Sequence, residues 1–365
     1  MRRVLKTYHL ELKVCGPVYV GSGSEIQKKE YLFLNRNKVG VVDINKLFLL
    51  AKKRHLENDF ERFMVTDGRE DLKHWTARNH ISQAEIRDSM KYEMNIGDIQ
   101  MEKGRMQIMS FMRDPYGNPY IPGSSIKGML RTILLAADMI NNPLDYKQDG
   151  QQIKTELQGA FKSRSILQKT ISHIEEKAFH TLNRTDKKRD AVNDIMSGIM
   201  ISDSEPLRNE DMILCQKWEY QVDGSCKTLN LLRECVKPGT VIKADMTVDE
   251  SINPITMHKI MEAVKIFYDF YYSVFQKKFS IADQMSDETV FIGGGSGFVS
   301  KTVIYSLLGE KAGIQAVQDI FEKTNVPKEH KHYKDNRLGV SPHILKCTKY
   351  CGKTYMMGQC ELKIY

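Results

Sequence analysis

Residues 113–137 constrain the fold more than any other stretch of the sequence. Proline and glycine turn signals at residues 114–119 end whatever structure precedes them, and a helix then begins with Ser124 or Ser125 as its predicted N-cap. Apolar residues follow at helical spacing until Pro143. They are Ile126, Met129, Leu130, Ile133, Leu134, Ala137 and Ile140. The stretch therefore predicts one long amphipathic helix with a buried face.

The other face of this predicted helix carries Ser124, Lys127 and Arg131. A hydroxyl, an ammonium and a guanidinium would then lie beside the free amides of the first turn, where the helix dipole favours an anion. Gly123 and Gly128 leave room for a backbone or a sugar to come close. The pattern favours a phosphate site, and the alternative is an ordinary capped helix with a solvated basic face.

Two glycine-rich loops are further candidate binding sites. Loops of this kind expose backbone amides, although glycine and serine most often only make turns. Lys301 follows the second loop and adds a positive charge. The candidate loop residues are Gly21, Ser22, Gly23 and Ser24 in the first loop, and Gly293, Gly294, Gly295 and Gly297 in the second.

Neither glycine-containing helix start makes a nucleotide-triphosphate loop. Met129 stands where the lysine of that motif belongs, and Ser300 replaces the second required glycine in residues 295–302. Residues 297–299 match a fragment of an RNA-recognition signature whose remainder is missing. An NTPase is therefore disfavoured, and the sequence does not indicate bases stacked on a sheet face.

The order of alternating and helical segments predicts an α+β fold. An alternating strand at residues 6–15 is followed by helical insertions near residues 45–92 and 145–195. Further strands precede a helix with an aromatic stripe at residues 256–277. Two split βαβ halves fit this order, with residues 1–222 as one domain and 223–365 as the other.

Composition narrows the class of protein. The chain has 365 residues, a formal net charge of +8 and seven cysteines, an odd number that fits a reducing compartment. Residues 323–365 hold nine Lys and Arg against three Asp and Glu, an excess that suits a polyanionic partner. Neither a leader nor an apolar run of membrane-spanning length is present, so we expect a cytoplasmic protein with no membrane partner.

Three segments together, residues 16–24, 121–132 and 293–302, resemble the RAMP superfamily of CRISPR effector subunits. Length and helical insertions make the chain most similar to the subunit that caps the crRNA 3′ end in the type III-A Csm complex. The resemblance implies two tandem ferredoxin-like (RRM-like) domains and a non-catalytic, RNA-binding role in crRNA maturation and antiviral defence. It implies crRNA, the adjacent backbone subunit, other subunits of the complex and recruited cellular nucleases as partners.

Two alternatives carry chemistry of their own. Relatives on this scaffold cut RNA without a metal. His9, which follows Tyr8 in the sequence and lies on the polar side of the first strand, is the candidate general base of such an endoribonuclease. A zinc site would need His343, Cys347, Cys351 and Cys360, whose spacing matches no paired CxxC pattern. The favoured interpretation therefore has no catalytic residue, no metal and no cofactor.

Overall fold

Fourteen strands and ten α-helices form within the residues that the computed structural model describes, which are 4–66, 70–100, 106–252 and 254–365. The strands are β1 (Leu5–Val14), β2 (Gly21–Ile26), β3 (Tyr31–Asn35), β4 (Lys38–Val42), β5 (Met90–Ile96), β6 (Gln107–Phe111), β7 (Ile199–Ile201), β8 (Met212–Gln221), β9 (Cys226–Val236), β10 (Val241–Asp249), β11 (Thr289–Phe291), β12 (Ile344–Tyr350), β13 (Lys353–Met356) and β14 (Gln359–Ile364). The helices are α1 (Ile44–Lys53), α2 (Glu57–Val65), α3 (Leu72–Arg78), α4 (Gln83–Asp88), α5 (Gly123–Asn141), α6 (Lys147–Gln158), α7 (Gln168–Phe179), α8 (Met257–Val274), α9 (Ile304–Lys323) and α10 (Asp335–Leu338).

The first sheet has the strand order β11-β14-β1-β10-β7, and all its neighbouring strands are antiparallel. Leu10 and Leu12 of β1 are fully buried, as their alternation predicts. The helices α5 and α8 pack against each other, and Tyr271 of α8 contacts Phe291 of β11 with 4.8 Å between ring centroids. In chain order, β1, α5, β7, β10, α8 and β14 form one split βαβ unit.

The second sheet has nine strands and a different order. Its main path runs β2-β6-β9-β8-β5-β4-β3. The strand β12 pairs with the C-terminal end of β8, and β13 pairs with β12. The inserted helices α1 to α4 build a separate apolar cluster with residues of β3, β4 and β5, and the fully buried Trp75 belongs to it. The predicted insertion near residues 45–92 is therefore helical up to Asp88, although its residues 67–69 lie outside the described ranges.

The predicted α+β class is confirmed, and the finer division is not. Residue 222 falls in the turn between β8 and β9, which are antiparallel partners in the second sheet. Both sheets also take strands from before and after this residue. Because only the first sheet has the split βαβ order, two tandem ferredoxin-like domains that meet near residue 222 stay a prediction. None of the described helices combines the length and apolar character needed to cross a membrane.

The helix α5 confirms the long helix predicted from residues 113–137, with a different N-cap. Pro122 is the capping residue, and Ser124 and Ser125 lie inside the first turn without making a capping hydrogen bond. The amide of Gly123 instead donates to Oδ1 of Asp203 at 2.8 Å. The serine N-cap prediction was therefore wrong, because a carboxylate from another segment occupies the place that a local hydroxyl was expected to fill.

Candidate nucleic-acid interface

The segment that leads into β2 brings the three sequence motifs together. The carbonyl oxygen of Tyr19 accepts a hydrogen bond of 2.6 Å from the amide of Gly294, in the second glycine loop. The next carbonyl, that of Val20, accepts from Met112 at 2.9 Å, and Met112 in turn accepts from Tyr120 at 3.2 Å, just before α5. Both glycine loops and the approach to α5 are therefore joined through adjacent backbone bonds.

Steric contacts explain the glycines at the start of the second loop. Gly293 has a φ of 80° and Gly295 one of 87°, a region that other residues rarely adopt. A Cβ on Gly293 would lie 2.2 Å from the carbonyl oxygen of Tyr19, and one on Gly295 would lie 2.3 Å from Nη1 of Arg233. The loop is thus fitted closely against Tyr19 on one side and a guanidinium on the other.

Unpaired backbone donors follow in the same loop. Within the described residues, the amides of Gly295, Ser296 and Gly297 donate to no hydrogen-bond acceptor. Successive N–H groups in a loop with alternating positive φ form a concavity that binds anions. The loop therefore has the backbone geometry of a phosphate site.

Two cations near this loop, Arg233 and Lys301, have no carboxylate ion partner within the described residues. Arg233 of β9 stacks over the Tyr19 ring at 5.2 Å, and its buried Nε has no hydrogen-bond partner within the described part of the chain. Partial burial, and then the charge of Arg233, lower the pKa of Lys301. Two positive charges that repel each other in this way would both be stabilised by an anion placed between them.

A cleft of about 310 Å³ adjoins the loop at Gly297. Its walls include the rings of Phe298 and Phe321 and the ammonium groups of Lys217 and Lys346. A single carboxylate, that of Glu219, lies 3.4 Å from the first ammonium and 2.5 Å from the second. Aromatic rings beside a net positive charge suit a nucleobase and its phosphate; we call this cleft, lined also by His330 and His332, the basic cleft.

At the start of α5, the predicted phosphate-binding cations lie among carboxylates. Nη1 of Arg131 lies 2.7 Å from Asp194, and its Nε lies 3.4 Å from Glu175. Its guanidinium also stacks on Phe179 at 4.0 Å. Lys127 has no ion pair within the described residues, and burial, together with Arg131, lowers its pKa. Arg131 thus has internal partners, and RNA contact by this helix start stays a prediction.

The first glycine loop is the beginning of an edge strand. Gly21 pairs with Phe111, and a bulge follows before Glu25. The hydroxyl of Ser22 lies 2.5 Å from that of Ser110, which donates to the carbonyl of Ser24 at 3.0 Å. The residues of this loop beyond Gly21 are exposed, with Gly23 at a φ of 85°. Their part in RNA binding also stays a prediction.

Sequence reasoning missed Tyr19, Arg233 and the lysines of the basic cleft. The available signal was the pair Arg233-Glu234, two charged residues within the largely apolar strand β9. Glu234 is fully buried and accepts hydrogen bonds from the hydroxyl of Tyr92 at 2.7 Å and the amide of Phe111 at 2.8 Å. A charge placed in a buried strand indicates a specific partner, which here belongs to distant segments.

The candidate chemical residues lie in different parts of the fold. Nδ1 of His9 lies 2.8 Å from Oδ1 of Asp245, and both side chains are exposed on the first sheet. The four zinc candidates are not brought together: Cys360 pairs with Val14 in the first sheet, and Cys347 pairs with Trp218 in the second. His343 instead bonds to Asp335.

Comparisons with known proteins agree on one family. The model of the RAMP superfamily matches residues 11–300. The chain is 31% identical over 392 aligned positions to a Mycobacterium tuberculosis protein named CRISPR system Cms protein Csm5, covering 100% of this chain and 99% of that protein. The Streptococcus thermophilus protein of the same name is 26% identical and covers 83% of this chain and 82% of its own length.

Solved structures share the fold. A chain of a cryo-EM structure described as a Csm-crRNA-target RNA ternary complex of a type III-A CRISPR-Cas system matches with a TM-score of 0.63 and 16% identity, over 98% of this chain and 100% of its own. The crystal structure of T. onnurineus Csm5 matches with a TM-score of 0.63 and 18% identity, over 96% and 99%.

Proposed function

The chain belongs to the RAMP superfamily, and from this premise we propose that it is the RNA-binding subunit that caps the crRNA 3′ end in a type III-A CRISPR effector complex. The observation that carries the proposal is the second glycine loop, where free amides lie near Arg233 and Lys301, which have no carboxylate ion partner in the described part of the chain. The similar proteins are named as proteins of a CRISPR system, which supports a role in a CRISPR effector complex.

The contacts of such a subunit follow from the site. A backbone phosphate would accept hydrogen bonds from the amides of residues 295–297 and from the Arg233 guanidinium, while Lys301 supplies charge. An adjoining base would stack in the basic cleft. Contacts to phosphate fix the register of an RNA strand and leave its sequence unread, which suits a subunit that must hold many different guides. Gly21 to Ser24, Ser124 and Lys127 are proposed as secondary contacts along the same strand.

The proposed partners are those of an effector complex. They are the crRNA, the adjacent backbone subunit, the other subunits and recruited nucleases that trim the guide. The similar cryo-EM chain belongs to a complex with crRNA and target RNA. This likeness supports the crRNA, the adjacent backbone subunit and the other subunits as partners. The overall charge also supports an RNA partner, since the chain carries a net +8.

One observation favours a second candidate, a metal-independent endoribonuclease. Asp245 holds Nδ1 of His9 at 2.8 Å. A carboxylate on one imidazole nitrogen fixes the tautomer and leaves the other nitrogen free to act as a base. In this candidate His9 would activate a 2′-hydroxyl of RNA laid across the exposed face of the first sheet.

A single incubation separates the two candidates. Purified full-length protein is mixed with end-labelled repeat-derived RNA in EDTA at low and moderate salt, and each tube is run on native and denaturing gels. We expect a shift that weakens by orders of magnitude with salt, since several phosphates are held, and RNA that stays whole. A discrete product that His9→Ala abolishes would establish the nuclease instead.

The capping role itself needs a test of position. In the co-expressed, assembled complex, hydroxyl-radical footprinting should protect the last nucleotides of the crRNA, and the double variant Arg233→Ala, Lys301→Ala should expose them. Protection confined to the 5′ end, unchanged by the double variant, would overturn the capping proposal.

A further inference from the structure

We propose that His332, Asp335 and His343 form a site for a divalent transition metal of the zinc class. One ligand atom from each of the three residues can be chosen so that all lie within 4.8 Å of one another. The inference does not depend on RNA binding.

The three side chains converge from separate local structures. His332 lies in a single 3₁₀ turn, Asp335 begins α10, and His343 immediately precedes β12. Nδ1 of His332 lies 3.0 Å from Oδ2 of Asp335, and Nδ1 of His343 contacts Oδ1 of the same carboxylate. A tetrahedral zinc with bonds near 2.0–2.1 Å holds its ligands about 3.3 Å apart. Small outward movements of the two rings would therefore admit the ion.

Surrounding groups hold the carboxylate in place. The Ser341 hydroxyl donates to Oδ2 of Asp335 at 2.6 Å, and the Tyr305 hydroxyl donates to the Ser341 carbonyl at 2.7 Å. Phe321 packs against the His332 ring with 4.4 Å between centroids. Hydrogen bonds behind a metal ligand and a hydrophobic shell around it are both characteristic of sites that orient their ligands.

The charge and chemistry of the cluster select the kind of ion. Asp335 is fully buried, and no lysine or arginine pairs with it within the described ranges. The carboxylate is held by the two imidazoles and the Ser341 hydroxyl, and a divalent ion would add positive charge beside it. Two imidazoles and one carboxylate suit a divalent transition metal such as zinc, cobalt or iron, whereas magnesium and calcium prefer shells made of oxygen ligands.

Three protein ligands leave a fourth position open. His332 also lines the basic cleft, so the metal would lie at the wall of that cleft. A water molecule or an oxygen of a phosphate that enters the cleft could fill the remaining position. The oxygen ligand would thus bind to the metal and not directly to the three side chains.

The test uses metal-stripped, full-length protein and two probes, Zn²⁺ by calorimetry and Co²⁺ by visible absorption. We expect one equivalent of either ion and, with Co²⁺, the absorption bands of a four-coordinate complex. His332→Gln and Asp335→Asn should each weaken binding by at least ~10-fold, since even the loss of a group that only supports a ligand costs about that much. His9→Gln is the matched control, because it alters an exposed His–Asp pair for which the described part of the chain offers no third ligand.

Folding is checked separately for each variant. His332 is the most accessible of the three residues, so its variant should keep the wild-type circular dichroism spectrum. Zinc should raise the melting temperature of the wild type and of His9→Gln, and leave that of His332→Gln unchanged. No uptake by the wild type, or equal uptake by His332→Gln and His9→Gln, would show that the cluster is only a hydrogen-bond network. Because the RNA experiment above is run in EDTA, its result does not depend on this one.

Discussion

The start of α5 and the second glycine loop look alike in sequence and differ in the structure. Each combines glycines, a hydroxyl and cations at the beginning of a helical turn. At α5, Asp203 accepts from the first amide and Asp194 and Glu175 bind Arg131. At the glycine loop, three amides have no described acceptor and Arg233 keeps an unpaired Nε.

The presence of cations is therefore not sufficient for an anion-binding site. Whether the cations can bind an anion depends on whether the fold places carboxylates next to them. These carboxylates come from far along the chain, since Asp194 lies beyond α7, in another segment from Arg131. A phosphate at α5 would have to compete with internal ion pairs, whereas a phosphate at the glycine loop would relieve repulsion between two cations. We therefore expect variants of the two regions to affect different properties.

The largest effect should come from Arg233→Ala. Loss of a charged hydrogen-bond donor to phosphate costs about 1.5–3 kcal/mol, which is roughly 10- to 100-fold in RNA affinity. Fluorescence anisotropy over a salt series should also show the slope of log affinity against log salt fall by about 1. Lys353→Ala, an exposed cation on β13, is the control. Equal losses in the two variants would mean that Arg233 acts only as part of the general surface charge.

A smaller effect, on stability rather than binding, should follow Arg131→Ala. The variant leaves Asp194 and Glu175 without their guanidinium in a partly buried setting, which should cost about 1–2 kcal/mol. Urea denaturation followed by fluorescence measures the loss, and RNA affinity of the folded variant should change less than in Arg233→Ala. A stable Arg131→Ala that binds RNA weakly would reverse the comparison and make α5 the main contact.

The smallest effect should be that of Gly128→Ala. This glycine is exposed on α5, and a Cβ there would meet nothing within 4 Å. Alanine in an exposed helix interior is favoured over glycine by about 0.8–1.0 kcal/mol, so the urea midpoint should rise. RNA affinity should stay unchanged. A fall in affinity with increased stability would place RNA against this face of the helix after all.

Local patterns predicted the elements well. The strand β1 follows from its alternation, and α5 and α8 follow from apolar residues at helical spacing that extend over several turns. These signals depend only on neighbours along the chain. The cap of α5 was missed because its acceptor, Asp203, is 80 residues away from Gly123.

The arrangement of the sheets and the candidate site depended on distant pairings. The pattern of neighbouring residues does not show that Arg233 of β9 would lie against Gly295 and Tyr19. Likewise, the sequence grouped His343 with three cysteines as possible zinc ligands, whereas its contacts in the structure come from Asp335. Charge and spacing identify candidate binding residues, but the contacts of these residues depend on the tertiary structure.

The pairing of β1 with β14 also governs when the protein can finish folding. The strand β14 lies between β1 and β11 in the first sheet, yet it follows β1 by about 345 residues along the chain. At a synthesis rate of roughly 5–20 residues per second, an emerging chain waits about 17 to 70 seconds before this strand exists. Throughout that interval one edge of β1 is open to other strands. We therefore expect a ribosome-bound chain to need protection of this edge, by its own partly folded second sheet or by a chaperone, until β14 has been made.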